Sequence, residues 1–343
     1  MSELSVRRVR RQKPTLDTVA AAAGVSRATV SRVINGSPRV SAEVKDAVES
    51  AIGRLGYVPN RAARSLAMRR TDSVALVMRE PDATVLSDPY LGNIIIATSQ
   101  ALIGTGVQLV LVNAQNNAEH SRLADYVRSG HVDGVLLASM HDDDPLPRLL
   151  LDAGIPTVVG GRPQRHLPGL SYVDVDNVGG AQLAAERLLS AGRRRIATIA
   201  GPQDMTAGFD RLNGYQRALS AAGRKVDRVV IGDFTRESGE QAMSVLLDRH
   251  PDIDGVFAAN DLMAIGALRV LRAAGRRVPE DVSVVGYDDI EMARHTEPPL
   301  TTIHQPVLDQ ARTMTELLLT QIGGDPVGDP VVLPTELVER DSA

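Results

Sequence analysis

Cysteine and tryptophan are absent from the 343 residues, and only 3 Phe and 6 Tyr are present. Without cysteine there are no disulfides and no thiolate chemistry. With so few aromatic faces, a ligand that needs ring stacking has few platforms. No apolar run approaches the ~20 residues that span a bilayer, so no membrane segment is expected. The sequence also lacks a Gly-x-Gly-x-x-Gly fingerprint, a phosphate-loop lysine motif and a Gly-x-Ser-x-Gly elbow. The 7 histidines are scattered. His141-Asp142-Asp143-Asp144 is the one tempting metal cluster, but Pro145 follows it, and it reads as a polar loop leading into a helix. No cofactor, no metal and no catalytic residue is expected.

Charge is present but unevenly spread. Residues 1–70 hold 14 Lys/Arg against 5 Asp/Glu, a balance of +9, and the rest hold 24 against 37, a balance of −13. A basic head on an acidic body is the electrostatic footprint of a domain that neutralises phosphates. An export signal is the rival for the basic end. The apolar run Val19–Val25 is short for a signal core, Asp17 precedes it and Ser26-Arg27 follow it. The expectation is a cytoplasmic protein.

The head carries a pattern of its own. Thr15 opens a helical stretch, Leu16–Ala23, and Gly24-Val25 make a tight turn. Ser26 starts a second helix that runs to Asn35. Two short helices joined by a turn holding Gly form a helix-turn-helix. On the second helix Val30, Val33 and Ile34 face inward, while Arg27, Ala28, Ser31 and Arg32 point out. Arginine makes forked contacts to guanine, and small side chains let the backbone approach base edges. A third helix spans Ser41–Leu55, with Ser41 as N-cap and Gly56 as stop. The Pro59–Arg70 segment is rich in helix formers but too short to be stable alone.

From Thr71 onward, apolar runs alternate with helical patterns. Val74–Met78, Val107–Val112, Gly134–Ala138 and Thr157–Val159 read as buried strands. Ile196–Ala200, Val229–Ile231, Gly255–Ala258 and Ser283–Gly286 form a second series, and Val331–Leu333 a late strand. Strands alternating with helices imply α/β architecture with parallel sheets covered on both faces. Two series imply two lobes. Ligands bind beyond the carboxyl ends of such strands. Asn260-Asp261, Asp288-Asp289, Arg162, Phe234 and the Gly201–Arg211 stretch all fall at such ends. Asp261 has a second reading as a helix N-cap, Phe234 as core, and Asp289 as the partner of a nearby cation.

The head residues Thr15–Ala20, Ala23–Ser26, Thr29–Val33, Asn35-Gly36, Val40-Ser41, Leu55–Asn60 and Ala63–Leu66 carry a dense resemblance to the lactose-repressor/galactose-repressor family of bacterial transcription regulators. Ile199–Pro202, Arg211–Tyr215, Ala259–Asp261, Val285–Asp289 and Pro299–Gln305 extend it through the body. Gly160–Pro163 and Ala200–Met205 look most like the cellobiose-responsive regulators of actinobacteria.

The resemblance implies a fold: a helix-turn-helix head plus a two-lobed, doubly wound, periplasmic-binding-protein-like effector domain. The expected division is a basic disordered arm at 1–13, the DNA-binding domain at 14–58, a hinge helix or linker at 59–70 and the body at 71–343. The N-lobe is expected at about 71–172 and 304–326, the C-lobe at about 173–303 and 327–343. It implies that Arg27, Ala28 and Arg32 read bases, while Thr15, Ser26, Thr29, Ser31 and Asn35 hold phosphates or support the helix. The Asn60–Ala67 helix, with Asn60, Arg61 and Ala63, would form on DNA, and Leu66 would wedge into the minor groove. In the effector cleft it places Arg211, Phe234, Asn260, Asp288 and Gln305. Asp88, Tyr90 and Arg162 join them by their nearness to strand ends. Tyr90 and Phe234 are the natural covers for two sugar rings.

The implied partners are double-stranded operator DNA, a small sugar effector and a second copy of the chain, with no membrane. The implied function is repression at a palindromic operator, relieved when the sugar moves the lobes and melts the hinge. A corepressor responding to another sugar or a purine is the alternative. An oxidoreductase and an extracytoplasmic sugar-binding protein share the body plan. The missing cofactor motifs argue against the first, and the basic head against the second.

Overall fold

The computed structural model describes residues 14–34, 37, 39–57, 70–142, 144–326 and 328–343. These fall into two compact units, Met1–Thr71 and Asp72–Ala343.

The described part of the head holds three helices: α1 (Leu16–Ala23), α2 (Arg27–Ile34) and α3 (Ala42–Leu55). Thr15 caps α1 through a reciprocal box with Thr18, which satisfies two backbone N–H groups the helix cannot pair itself. Gly24 ends it with φ 66°, a left-handed conformation that costs glycine nothing. Val19, Ala20, Val30, Val48, Ala51 and Tyr57 close a small core, with Val33 and Ile34 packed against it. Arg27, Ala28 and Arg32 are exposed and Ser31 is half-buried, so the expected two faces of α2 are present. Ser41 holds the cap position of α3 but makes no side-chain capping bond.

The larger unit is built on two parallel sheets. The first joins β1 (Ser73–Met78), β2 (Gln108–Asn113), β3 (Gly134–Ala138), β4 (Thr157–Gly160), β5 (Ser171–Val175) and β11 (Val331–Leu333) in the order β11-β5-β4-β3-β1-β2. The second joins β6 (Ile196–Ala200), β7 (Val229–Ile231), β8 (Gly255–Ala258) and β9 (Ser283–Val285) in the order β7-β6-β8-β9. A short antiparallel pair, β10 (Thr302–His304) and β12 (Glu336–Val338), completes the strands. Each large sheet has an apolar core on both faces, which makes the lobes doubly wound.

Two features differ from the sequence expectation. Strand β5, missed as an apolar run, and β11 both belong to the first sheet, although 173 and 327 were placed at the start of C-lobe segments. The chain therefore crosses to the second lobe after β5, returns with the Val307–Gly323 helix and β11, and crosses back for β12. Strand β2 is also only partly buried, with Leu111 half exposed, because it forms the sheet edge. Among the described residues, no helix is long and apolar enough to cross a membrane.

Candidate functional site

The carboxyl ends of both sheets open on one cavity of about 310 Å³, at the small end of the usual range for ligand pockets. Glu80 follows β1, Ser139 and His141 follow β3, Arg162 follows β4, and Asp174 lies in β5. From the second sheet come Met205 and Thr206 after β6, Phe234 after β7, Asn260 after β8 and Asp288 after β9. All eight expected effector residues, Asp88, Tyr90, Arg162, Arg211, Phe234, Asn260, Asp288 and Gln305, line this cavity.

Arg211 is its centre of charge. Its Nε donates to Asn177 Oδ1 at 2.9 Å and Nη1 to the Ala259 carbonyl at 2.7 Å. Nη1 also reaches Asp288 and Nη2 reaches Gln305, at 3.4 and 3.5 Å. The guanidinium carbon sits over the Tyr287 ring, 3.7 Å from its centre, a desolvated cation–π contact. Gln305 Nε2 donates to Asp288 Oδ1 at 2.6 Å. Burial pushes the Asp288 carboxyl upward, against the opposing pull of Arg211.

Asp88 caps its helix by accepting from Tyr90 N at 2.9 Å, and burial raises its carboxyl to about 6. The Tyr90 hydroxyl donates to Gln310 Oε1 at 3.3 Å. Arg162 forks onto both oxygens of Asp210, at 2.9 and 2.8 Å. Phe234 is half-buried and leans on the second-lobe core while still facing the cavity. Its two sequence readings are therefore compatible. Asn260 has its amide committed: Oδ1 accepts from Met263 N at 2.9 Å and Nδ2 donates to the Phe234 carbonyl at 2.8 Å. Asn260 is thus the cap of the Asp261–Ala273 helix, the role the sequence offered to Asp261. Asp261 itself is fully buried and accepts from Ile290 N and Thr302 Oγ1, at 3.0 and 2.5 Å. Asp289 pairs with Arg340 at 2.5 Å and His304 at 3.2 Å.

Strain gathers here. Ser139, Phe234 and Asp288 have φ of 60°, 67° and 118°, and all three line the cavity. Positive φ on residues with a side chain costs energy and clusters at functional sites.

Sequence reasoning missed Glu80, His141, Asp174 and Asn177. The strand-end rule that found Arg162 also applies to Glu80 and His141. Nothing flagged Asp174, because its strand has no apolar run. His141 belongs to the cleft: its Nδ1 lies 2.7 Å from Asp204 and its Nε2 3.6 Å from Glu80. The facing Glu80 carboxylate leads in raising it to about 9, against burial.

On the head, Thr15 and Ser26 serve as local caps, and Ser26 Oγ accepts from Thr29 N at 3.2 Å. Exposed Arg27 lies 3.9 Å from Asp17, a contact of little energetic weight. Asn35, Asn60, Arg61, Ala63 and Leu66, with the whole expected hinge helix and the arm at 1–13, lie outside the described residues.

A helix-turn-helix head in one chain with a two-lobed, cleft-bearing body defines a ligand-responsive DNA-binding regulator. The comparisons agree. Residues 15–60 match the model of bacterial regulatory proteins of the lacI family, and 163–343 match a periplasmic binding protein-like domain. The HTH-type transcriptional regulator CelR of Thermobifida fusca is 55% identical over 339 residues, 97% of this chain and 99% of that one. The solved transcriptional regulator CelR–cellobiose complex is 53% identical with a TM-score of 0.77, covering 96% of this chain and 100% of that one. The lac repressor dimer bound to operator and the anti-inducer ONPF is 29% identical with a TM-score of 0.85, covering 96% and 99%. The chain belongs to the lacI family of bacterial regulatory proteins.

Proposed function

We propose that this protein is a cytoplasmic, non-enzymatic transcriptional repressor. It grips a palindromic operator as a homodimer and is released by a small sugar, cellobiose or a related β-glucoside. One observation carries the reading: polar residues from the strand ends of both lobes converge on a single cavity with an Arg211–Asp288–Gln305 network. Carboxylates, amides and guanidinium groups can accept from and donate to vicinal hydroxyls. Phe234 and Tyr90 supply the apolar faces. The similarity to a regulator solved with cellobiose supports the choice of sugar.

On the head, Arg27, Ala28 and Arg32 read base edges, with Thr15, Ser26, Thr29, Ser31 and Asn35 holding phosphates or the helix. Asn60, Arg61, Ala63 and Leu66 form the hinge contacts, Leu66 as the minor-groove wedge. Dimer symmetry matches operator symmetry. Ile96, Ile103 and Leu111 are left exposed on the first lobe, apolar surface that a second copy would cover. Sugar binding repositions the lobes, and the hinge pair separates. The effect needs unequal affinity of the sugar for the two states, commonly about 1–3 kcal/mol.

The test is fluorescence anisotropy of the full-length protein on fragments of its genome, with and without cellobiose. Tight binding to a palindrome, weakened by cellobiose, is expected. Binding tightened by the sugar would make it a corepressor, and failure to hold any fragment at low salt would end the reading.

A further inference from the structure

We propose that the cleft admits only uncharged effectors: a neutral saccharide is bound, and the same saccharide carrying a phosphate or carboxylate is refused. This rests on the sugar reading above and adds to it a rule about charge.

The walls are acidic. Glu80, Asp88 and Asp174 face the cavity from the first lobe, Asp233 and Asp288 from the second. The cations that face it are Arg162, Arg211 and His141, and each is already engaged. Arg162 holds both oxygens of Asp210. Arg211 divides its donors among Asn177, Ala259, Asp288 and Gln305, and its face is covered by Tyr287. His141 stands between Glu80 and Asp204. A phosphate brings about −1.5 to −2 charges and strong acceptor oxygens. It would meet carboxylates that only accept, and cations whose partners must first be displaced.

One feature points the other way. The Thr206–Ala221 helix begins at the cavity wall with no side-chain cap, and helix N-termini attract anions. Asp204 stands two residues before it and Asp210 in its second turn; neither caps the end, but both place negative charge close to it. Burial raises Asp174 to about 6, as it does Asp88, with the neighbouring charges of Asp210 and Glu80 adding to the two shifts. Sugar hydroxyls, in contrast, donate to carboxylates without adding charge.

The experiment is isothermal titration of the full chain with cellobiose and with cellobiose 6-phosphate at equal ionic strength. Cellobiose is expected to bind, and its phosphate to bind at least about a hundredfold more weakly, since like charges brought together in a site cost several kcal/mol. The double variant Asp88→Asn with Asp174→Asn keeps an acceptor oxygen at each position and should narrow the ratio about tenfold. Glu80→Gln serves if that variant fails to fold. Equal binding of both sugars by the wild type overturns the charge rule and leaves the sugar reading standing. A ratio unmoved by the neutralised variants also overturns it, because bulk would then be the cause. If neither sugar binds, the sugar reading falls and takes this rule with it.

Discussion

Arg32 and Asp288 carry different halves of the proposed function, and single substitutions separate them. Arg32 is exposed on α2 and has no role in the head's core. Arg32→Ala should leave the fold intact and cost about 1–3 kcal/mol of sequence discrimination. Competition between specific and scrambled duplex measures this, and equal weakening on both would make Arg32 a phosphate clamp. Asp288 sits in the body, accepting from Gln305 and Arg211. Asp288→Asn tolerates the local φ of 118° better than alanine would. It should weaken sugar binding by about 1.5–3 kcal/mol, the worth of a hydrogen bond to a charged group. Operator affinity should be unchanged. A variant that responds to sugar at the wild-type concentration would remove Asp288 from the cleft.

Elements were legible where one force decided them. Strands β3, β6, β7, β8 and β11 fall on their expected residues, since apolar runs between turn signals have few alternatives. Strand β5 was not legible. Ser171 and Asp174 are buried within it and break its apolar pattern, Ser171 satisfied by a partner far along the chain and Asp174 by its near neighbours. Ser171 Oγ accepts from Gln321 Nε2 at 2.9 Å, 150 positions away. Asp174 Oδ1 accepts from Val175 N and Asn177 Nδ2, at 2.8 and 3.1 Å. The missed strand carries a cleft carboxylate, so a fault in reading an element became a fault in reading the site. Packing between helices offers its own test. Gly214 lies where the Thr206–Ala221 helix crosses Asn177–Ser190, and a Cβ there would stand 2.2 Å from the Val178 carbonyl. Gly214→Ala should therefore cost about 1–3 kcal/mol by overpacking. Chemical denaturation would show it, and a midpoint equal to wild type would mean that the helices slide apart without penalty.

At the scale of the molecule, the two lobes are tied across the cleft mouth. Arg162 meets Asp210, His141 meets Asp204, and Asp142 N donates to the Asp204 carbonyl at 2.8 Å. His141 makes this tie depend on pH. Its folded value, about 9, exceeds the ordinary 6.5. It therefore contributes stability fully present below pH 6.5 and lost as pH rises through 9. Integrated, that amounts to at most about 3 kcal/mol. Thermal melts of wild type and His141→Gln should differ most near pH 6 and converge by pH 9.5. A constant gap across that range would show that the imidazolium contributes nothing. Asp88 and Asp174, both raised to about 6, act lower on the scale. They favour the folded state below pH 4, and that contribution is lost as pH climbs through 6.

Periodicity and charge, written along the chain, determined the three head helices, the two series of strands and the residues exposed on α2. Each depends on neighbours a few positions away and on the choice between water and apolar surroundings. The tertiary structure alone decided that β5 and β11 join the first sheet, that Asn260 rather than Asp261 caps its helix, and that Arg211 is held by Asn177, Asp288 and Gln305. Those outcomes turn mostly on hydrogen bonds between residues a dozen to more than a hundred positions apart, although Asn260 reaches its cap partner Met263 only three positions on. A buried polar group must find a partner somewhere, and only the folded chain says where.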